Sequence, residues 1–166
     1  LSEEVIAGEN ENGGEKNIAT GYHAIEFLLW GQDLSTDGPG ARPYTDYVVG
    51  EGGTASNQAR RGEYLKIVAA KLVADLASVN DAWKDEAGSY AEEFQALPPR
   101  ESIQKLLLSL ASLSGAELAG ERMTVAYDNK DQEDEHSCFS DTTLEDYTQN
   151  ALGIQNVWLG RYGNDD

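Results

Sequence analysis

The chain is poor in positive charge: twelve Lys and Arg stand against thirty Asp and Glu, a formal net charge of −18. Nucleic acids and anionic lipid surfaces are bound through clustered Lys and Arg, so neither is an expected partner. The balance permits attraction of cations, although most of these carboxylates read as solvated surface. Cysteine is scarce as well. Cys138 stands alone, which excludes an internal disulfide. That leaves the compartment open, because many bacterial extracytoplasmic proteins lack disulfides. No apolar run is long enough to span a bilayer. No signal-peptide hydrophobic region follows Leu1, and the first residue is not Met, so a processed, trimmed or partial product is expected. Phosphate-loop and dinucleotide fingerprints are absent, as are a G-x-S-x-G elbow and a c-type haem motif.

What remains is an ordinary globular composition, 40% hydrophobic and 25% charged over 166 residues, enough for a real core. Residues 1–15 combine Glu3, Glu4, Glu9, Glu11 and Glu15 with Gly8, Gly13 and Gly14, and read as an acidic, mobile arm. A helical domain is expected over 16–166. Its first helix would be capped by Asn17, run to Trp30 and stop at Gly31. The loop over 31–56, with Gly38-Pro39-Gly40 and Pro43, is either an ordered loop packed near that helix or a flexible surface loop. Tyr47-Val48-Val49 is its best strand signal.

A long helix then spans about Asn57 to Glu86, with Leu65, Val68, Leu72, Leu76, Val79 and Trp83 recurring at steps of three and four. A short helix follows over Tyr90–Ala96, stopped by Leu97-Pro98-Pro99. A further helix from Arg100 is punctuated by Ser114-Gly115. Another runs from near Ala116 to about Asn129, and a last one begins after Asp141-Thr142-Thr143 and reaches roughly Leu159, where Thr142 and Glu145 have the capping-box form. The class is all-α, a helical bundle.

The strongest chemical signal lies in the first helix. Between Gly21 and Gly31 only His23 and Glu26 are strongly polar. Tyr22, Ile25 and Leu29 make an apolar stripe, and a helix apolar nearly all round is usually buried. A buried carboxylate is costly unless paired or bound to metal. Residues three apart on a helix point the same way, so His23 and Glu26 can reach one ion. The plain alternative is a histidine hydrogen-bonded to its neighbour as structural glue.

A second polar cluster fills the loop over 130–142. Glu133, Glu135 and His136 supply oxygen and imidazole donors suited to Fe, Mn or Zn. The run fails as an EF-hand, since it lacks the turn glycine and the ligand spacing. It reads either as a solvated acidic turn or as a segment that supplements the His23 and Glu26 pair.

These motifs resemble the imelysin family. Gly21-Tyr22-His23-Ala24-Ile25-Glu26 is similar to its G-x-H-x-x-E signature. Arg42-Pro43-Tyr44-Thr45-Asp46-Tyr47, Arg60-Arg61 with Tyr64-Leu65, and Gly120-Glu121-Arg122-Met123 follow in the same order. Gln132 to Asp141, then Asn156-Val157-Trp158 and Gly160-Arg161-Tyr162, complete the resemblance over roughly residues 17–163. It implies a bacterial periplasmic or cell-envelope protein, often lipoprotein-anchored and linked to iron uptake. The implied architecture is a pair of four-helix bundles. Helical sequence before the signature and after the last block is part of that architecture, so this chain reads as partial, needing its remaining helices as partners.

Three functions are open. In the first, the protein binds a metal ion or metal chelate, with iron expected and zinc as the alternative, for a membrane iron-uptake partner. His23 and Glu26 are then ligands, Glu133, Glu135 and His136 supplementary ones, and Arg60 or Arg61 neutralises a buried carboxylate or anionic chelator. Gly21, Asp33 and Asp46 border that site. In the second, it is a zinc peptidase. That chemistry needs about three protein ligands, an open water position and a base. Phe27 after Glu26 rules out the H-x-x-E-H arrangement. In the third, it holds haem or a peptide in a groove.

Overall fold

A computed structural model describes residues 1–14 and 17–161. Glu15 of the acidic arm and Tyr162 of the last motif lie outside the described residues. Helices dominate, and no strand occurs among the described residues. The chain divides into two compact units, Leu1–Ala82 and Trp83–Asp166.

The first unit is built from α1 (Glu3–Glu9), α2 (Tyr22–Trp30) and α3 (Gln58–Ala82). The acidic arm thus contains a helix, contrary to the reading from composition. Ser2 caps it by accepting from the Val5 N–H, and Glu3 and Glu4 sit in the first turn, where the helix dipole favours negative charge. Ile6 is its apolar anchor, buried with Leu28 and Val68 and flanked by Ile25, Tyr64 and Leu65. One buried isoleucine offsets the polar composition of the arm. Val68 is fully enclosed, whereas the second half of the same stripe is open, with Val79 58% exposed.

Helix α2 starts later than the Asn17 cap would place it. Gly21 takes the N-cap position at φ 86° and makes no side-chain cap. Asn17 instead donates its side-chain amide to the Asn12 carbonyl. Gly31 ends the helix at φ 77°, as expected from its place after the last apolar residue. The helix is only partly buried. Ala24, Glu26 and Leu28 face inward, while Tyr22 and Leu29 of the expected stripe are exposed.

The loop over 31–56 is ordered against α2. Arg42 donates its backbone N–H to the Trp30 carbonyl and its guanidinium to the Phe27 carbonyl. Tyr47 donates its hydroxyl to the Leu28 carbonyl. Tyr44–Tyr47 form a turn of 3₁₀-helix rather than the start of a strand. The tyrosines are used as anchors and not as sheet-formers.

In the second unit, Trp83, Tyr90 and Phe94 form a ring cluster, with Trp83 edge-on to Tyr90 at 5.0 Å and to Phe94 at 5.6 Å. Helix α4 (Tyr90–Gln95) is capped by Ser89. Pro99 opens α5 (Pro99–Ala111) from the first turn, where its missing N–H costs nothing. No break follows at Ser114-Gly115. The chain winds on as a π-helical segment (Ser112–Thr124) and then α6 (Val125–Asn129). Thr124, at the end of that segment, donates its hydroxyl to the Ala119 carbonyl. Helix α7 (Thr143–Leu159) packs on α5 and on the π-helical segment. Arg122 and Tyr147 tie them: Arg122 donates to the Asn150 side chain, and Tyr147 donates to the Arg122 carbonyl. The capping box does not form, since Thr142 makes no side-chain cap. Its hydroxyl pairs with that of Ser140 instead.

Candidate functional site

Gly21 admits the chain to α2 at a φ that an L side chain rarely adopts, which sets His23 and Glu26 on the first two turns. The His23 Nδ1 lies 2.8 Å from Glu26 Oε2. A carboxylate accepts only, so Nδ1 carries the proton, and in the neutral imidazole the lone pair resides on Nε2. Glu26 is nearly enclosed, its side chain 10% exposed, whereas that of His23 is 38% exposed. The pair presents an oriented imidazole toward the surface, backed by a sunken carboxylate.

The surrounding residues hold this helix in place. The Arg42 guanidinium stacks over the Phe27 ring at 5.5 Å and pairs with Asp46 at 3.3 Å. Asp46 also accepts from the Thr54 hydroxyl. Arg61 donates to the Asp46 carbonyl at 2.6 Å and to the Ser56 carbonyl, and lies over the Tyr47 ring. Asp46 and Arg61, expected beside a metal, are thus the knot that fastens the loop. Asp33 is buried and accepts from the Ser35 N–H, an Asx turn at the loop entrance. Arg60 lines a separate cleft in this unit. Burial pushes the hydroxyls of Tyr47 and Tyr64 above the ordinary tyrosine range, and Arg42 and Arg61 partly counter the shift at Tyr47.

A second histidine–carboxylate pair belongs to the other unit. His136 Nδ1 lies 2.8 Å from Asp146 Oδ2, and the Ser137 hydroxyl donates to the same oxygen. Asp146 stands in the first turn of α7. Ser137 is fixed further by its N–H, which donates to the Thr143 hydroxyl at 3.1 Å. Glu133 and Glu135 are exposed. Glu133 belongs to a 3₁₀ turn (Gln132–Asp134) capped by Asp131. Glu135 lines a cleft of about 630 Å³ with Tyr127, Asp141 and Tyr147. Burial, with Glu135 and Asp146 nearby, raises the Tyr147 hydroxyl.

The five expected ligands therefore divide between the units, His23 and Glu26 in one, Glu133, Glu135 and His136 in the other. Among the described residues no group of three or more His, Cys, Asp and Glu is placed to hold a metal ion. Asp146 and Arg42 escaped the sequence reading. An acid at a helix start reads as a dipole partner, and Arg42, although part of the Arg42–Tyr47 block, carries no local signal of the Phe27 and Asp46 contacts it makes.

The imelysin family model, of the M75 peptidase class, matches residues 1–165. The chain belongs to the imelysin family. No curated protein matches it. The family match takes in the arm before α2 as well as the G-x-H-x-x-E helix, so α1 is part of the domain. No helix of this imelysin domain is long and apolar enough to cross a membrane, among the described residues.

Proposed function

We propose that this imelysin domain is a non-catalytic metal-binding protein of the bacterial cell envelope, that iron is its cargo, and that His23 grips the ion through Nε2. The observation that supports this is the 2.8 Å contact between His23 Nδ1 and Glu26 Oε2. A carboxylate on one ring nitrogen fixes the tautomer, orients the ring and makes the other nitrogen a better donor. Glu26 then acts as the orienting group rather than as the direct ligand expected from the motif. Few protein ligands suit cargo, because an ion in transit keeps water or chelator groups on its other positions. The net charge of −18 favours accumulation of cations around the protein.

Zinc hydrolysis is the second reading, since the family model itself carries the peptidase name. It needs about three protein ligands and a separate base. Glu26 is already engaged by His23, and the described residues offer no group of three. Both points favour binding over hydrolysis.

Calorimetric titration with Fe²⁺ under anaerobic conditions, and with Zn²⁺, tests the proposal. His23→Ala and Glu26→Gln should each weaken binding about tenfold or more, the scale of losing a ligand or its orienting partner. Equal affinity in both variants and the parent overturns it. Chelator-sensitive cleavage of an unstructured peptide by the zinc-loaded protein, lost in Glu26→Gln, replaces it with the peptidase reading.

A further inference from the structure

The first unit holds a cleft of about 440 Å³ that the metal reading does not use. Ile6 and Leu28 form its buried floor, and Val5 and Phe27 stand at its sides. Arg60 and Arg61 on α3 line the cleft as well and make that wall cationic. Among the described residues no side-chain hydrogen bond or ion pair is made by the Arg60 guanidinium, on an exposed residue. The guanidinium of Arg61 meets carbonyl oxygens, those of Asp46 and Ser56, which leave its charge uncompensated. Glu9 is the one acid on the lining, and its carboxylate accepts from the Asn12 amide.

Arg42 and Arg122 have acid partners, whereas Arg60 borders an apolar floor without one. A neutral apolar ligand would leave the guanidinium unmatched, and a cation would be repelled by it. Water alone would fill the apolar floor poorly. The ligand that satisfies both walls carries a single anionic head on an apolar body.

We infer that the Arg60 cleft binds a small anionic amphiphile, of the class of a medium-chain carboxylate or alkyl phosphate. The head pairs with Arg60 at the rim, and the chain lies over Ile6 and Leu28. The inference rests on the cleft alone and stands or falls independently of the metal site.

Titration of the intact chain with octanoate, decanoate, decyl phosphate, decanol and decylamine tests it. Decanoate should bind about tenfold more tightly than octanoate, from the burial of the added methylenes. Decanol should bind more weakly than decanoate, and decylamine weakest. Arg60→Gln should lower decanoate affinity about five- to tenfold, the loss of a charge-assisted contact, while leaving decanol unchanged. Val5→Glu, at an exposed position, should weaken both without altering helicity by circular dichroism. Decyl phosphate against decanoate decides which head is preferred, and either order supports the class. Equal binding of decanol and decanoate, or an unchanged Arg60→Gln, overturns it. So does absence of binding together with self-association that Val5→Glu abolishes, which would make a second copy the occupant.

Discussion

Gly40 passes so close to Trp30 that a Cβ at residue 40 would stand 2.7 Å from the Trp30 carbonyl oxygen. The Gly31 carbonyl oxygen would be 2.8 Å away. Both are backbone atoms, which cannot swing aside as a side chain can. The bare glycine lets the loop lie against the end of α2, where Arg42 and Tyr47 then fasten it.

Gly40→Ala should therefore lift the loop and cost about 1–3 kcal/mol, the usual range for overpacking. Urea unfolding measures the loss. Greater exposure of Trp30, read by its fluorescence, would accompany it. An unchanged urea midpoint would show that the loop yields freely and does not brace the His23 helix.

Tyr64 gives a pH dependence with a defined sign. Its hydroxyl donates to the Ala19 carbonyl at 2.7 Å, and burial raises its ionisation above the ordinary value of 10.0. The folded state thus holds the phenol proton more firmly than the unfolded state does. This contribution is complete below about pH 10 and is lost as pH rises through the raised folded value. The urea midpoint of the parent should fall between about pH 9 and pH 11, and Tyr64→Phe should fall less. At neutral pH the same variant should lose about 1 kcal/mol with its hydrogen bond. Parallel slopes for parent and variant would remove Tyr64 from the alkaline transition.

Asp146 serves two donors with one oxygen, His136 Nδ1 and the Ser137 hydroxyl. Asp146→Asn should destabilise the protein by about 1 kcal/mol, a value reduced for the partial exposure of the pair. The effects should also couple. On the Asp146→Asn background, His136→Ala and Ser137→Ala should cost less than they do in the parent. Additive losses in that cycle would mean that the three groups act separately.

Much of this fold is legible in the residues. The steps of three and four from Leu65 to Val79 placed α3, although it stops at Ala82 and not at Glu86, and Gly31 marked a helix end because it covers a positive φ. Pro98 and Pro99 read only as a stop, whereas Pro99, with no N–H to lose, also opens α5. The G-x-H-x-x-E helix was legible too, but the bond between its two polar residues stood there only as the alternative to a shared ion. Other signals misled where a tertiary contact outweighed a local preference. Burial of Ile6 made a helix from an arm whose composition argued for none. Asn17 and Thr142 have capping chemistry but satisfy other groups, Asn12 and Ser140. At Ser114-Gly115 neither residue is obliged to leave the helix, and a wider helical turn absorbs them. The Asp146 partnership lay beyond reach, since nothing in ten residues of spacing announces that a helix-start acid will fold back onto His136.

The central claim concerns one nitrogen atom. Long-range proton–nitrogen NMR of ¹⁵N-histidine-labelled protein, titrated with diamagnetic Zn²⁺, reads both ring nitrogens of His23 separately. The account predicts that Nε2 shifts on coordination, while Nδ1 keeps its proton and its bond to Glu26. A shift at Nδ1 with loss of its proton, or no change at either nitrogen while the metal binds elsewhere, would contradict it.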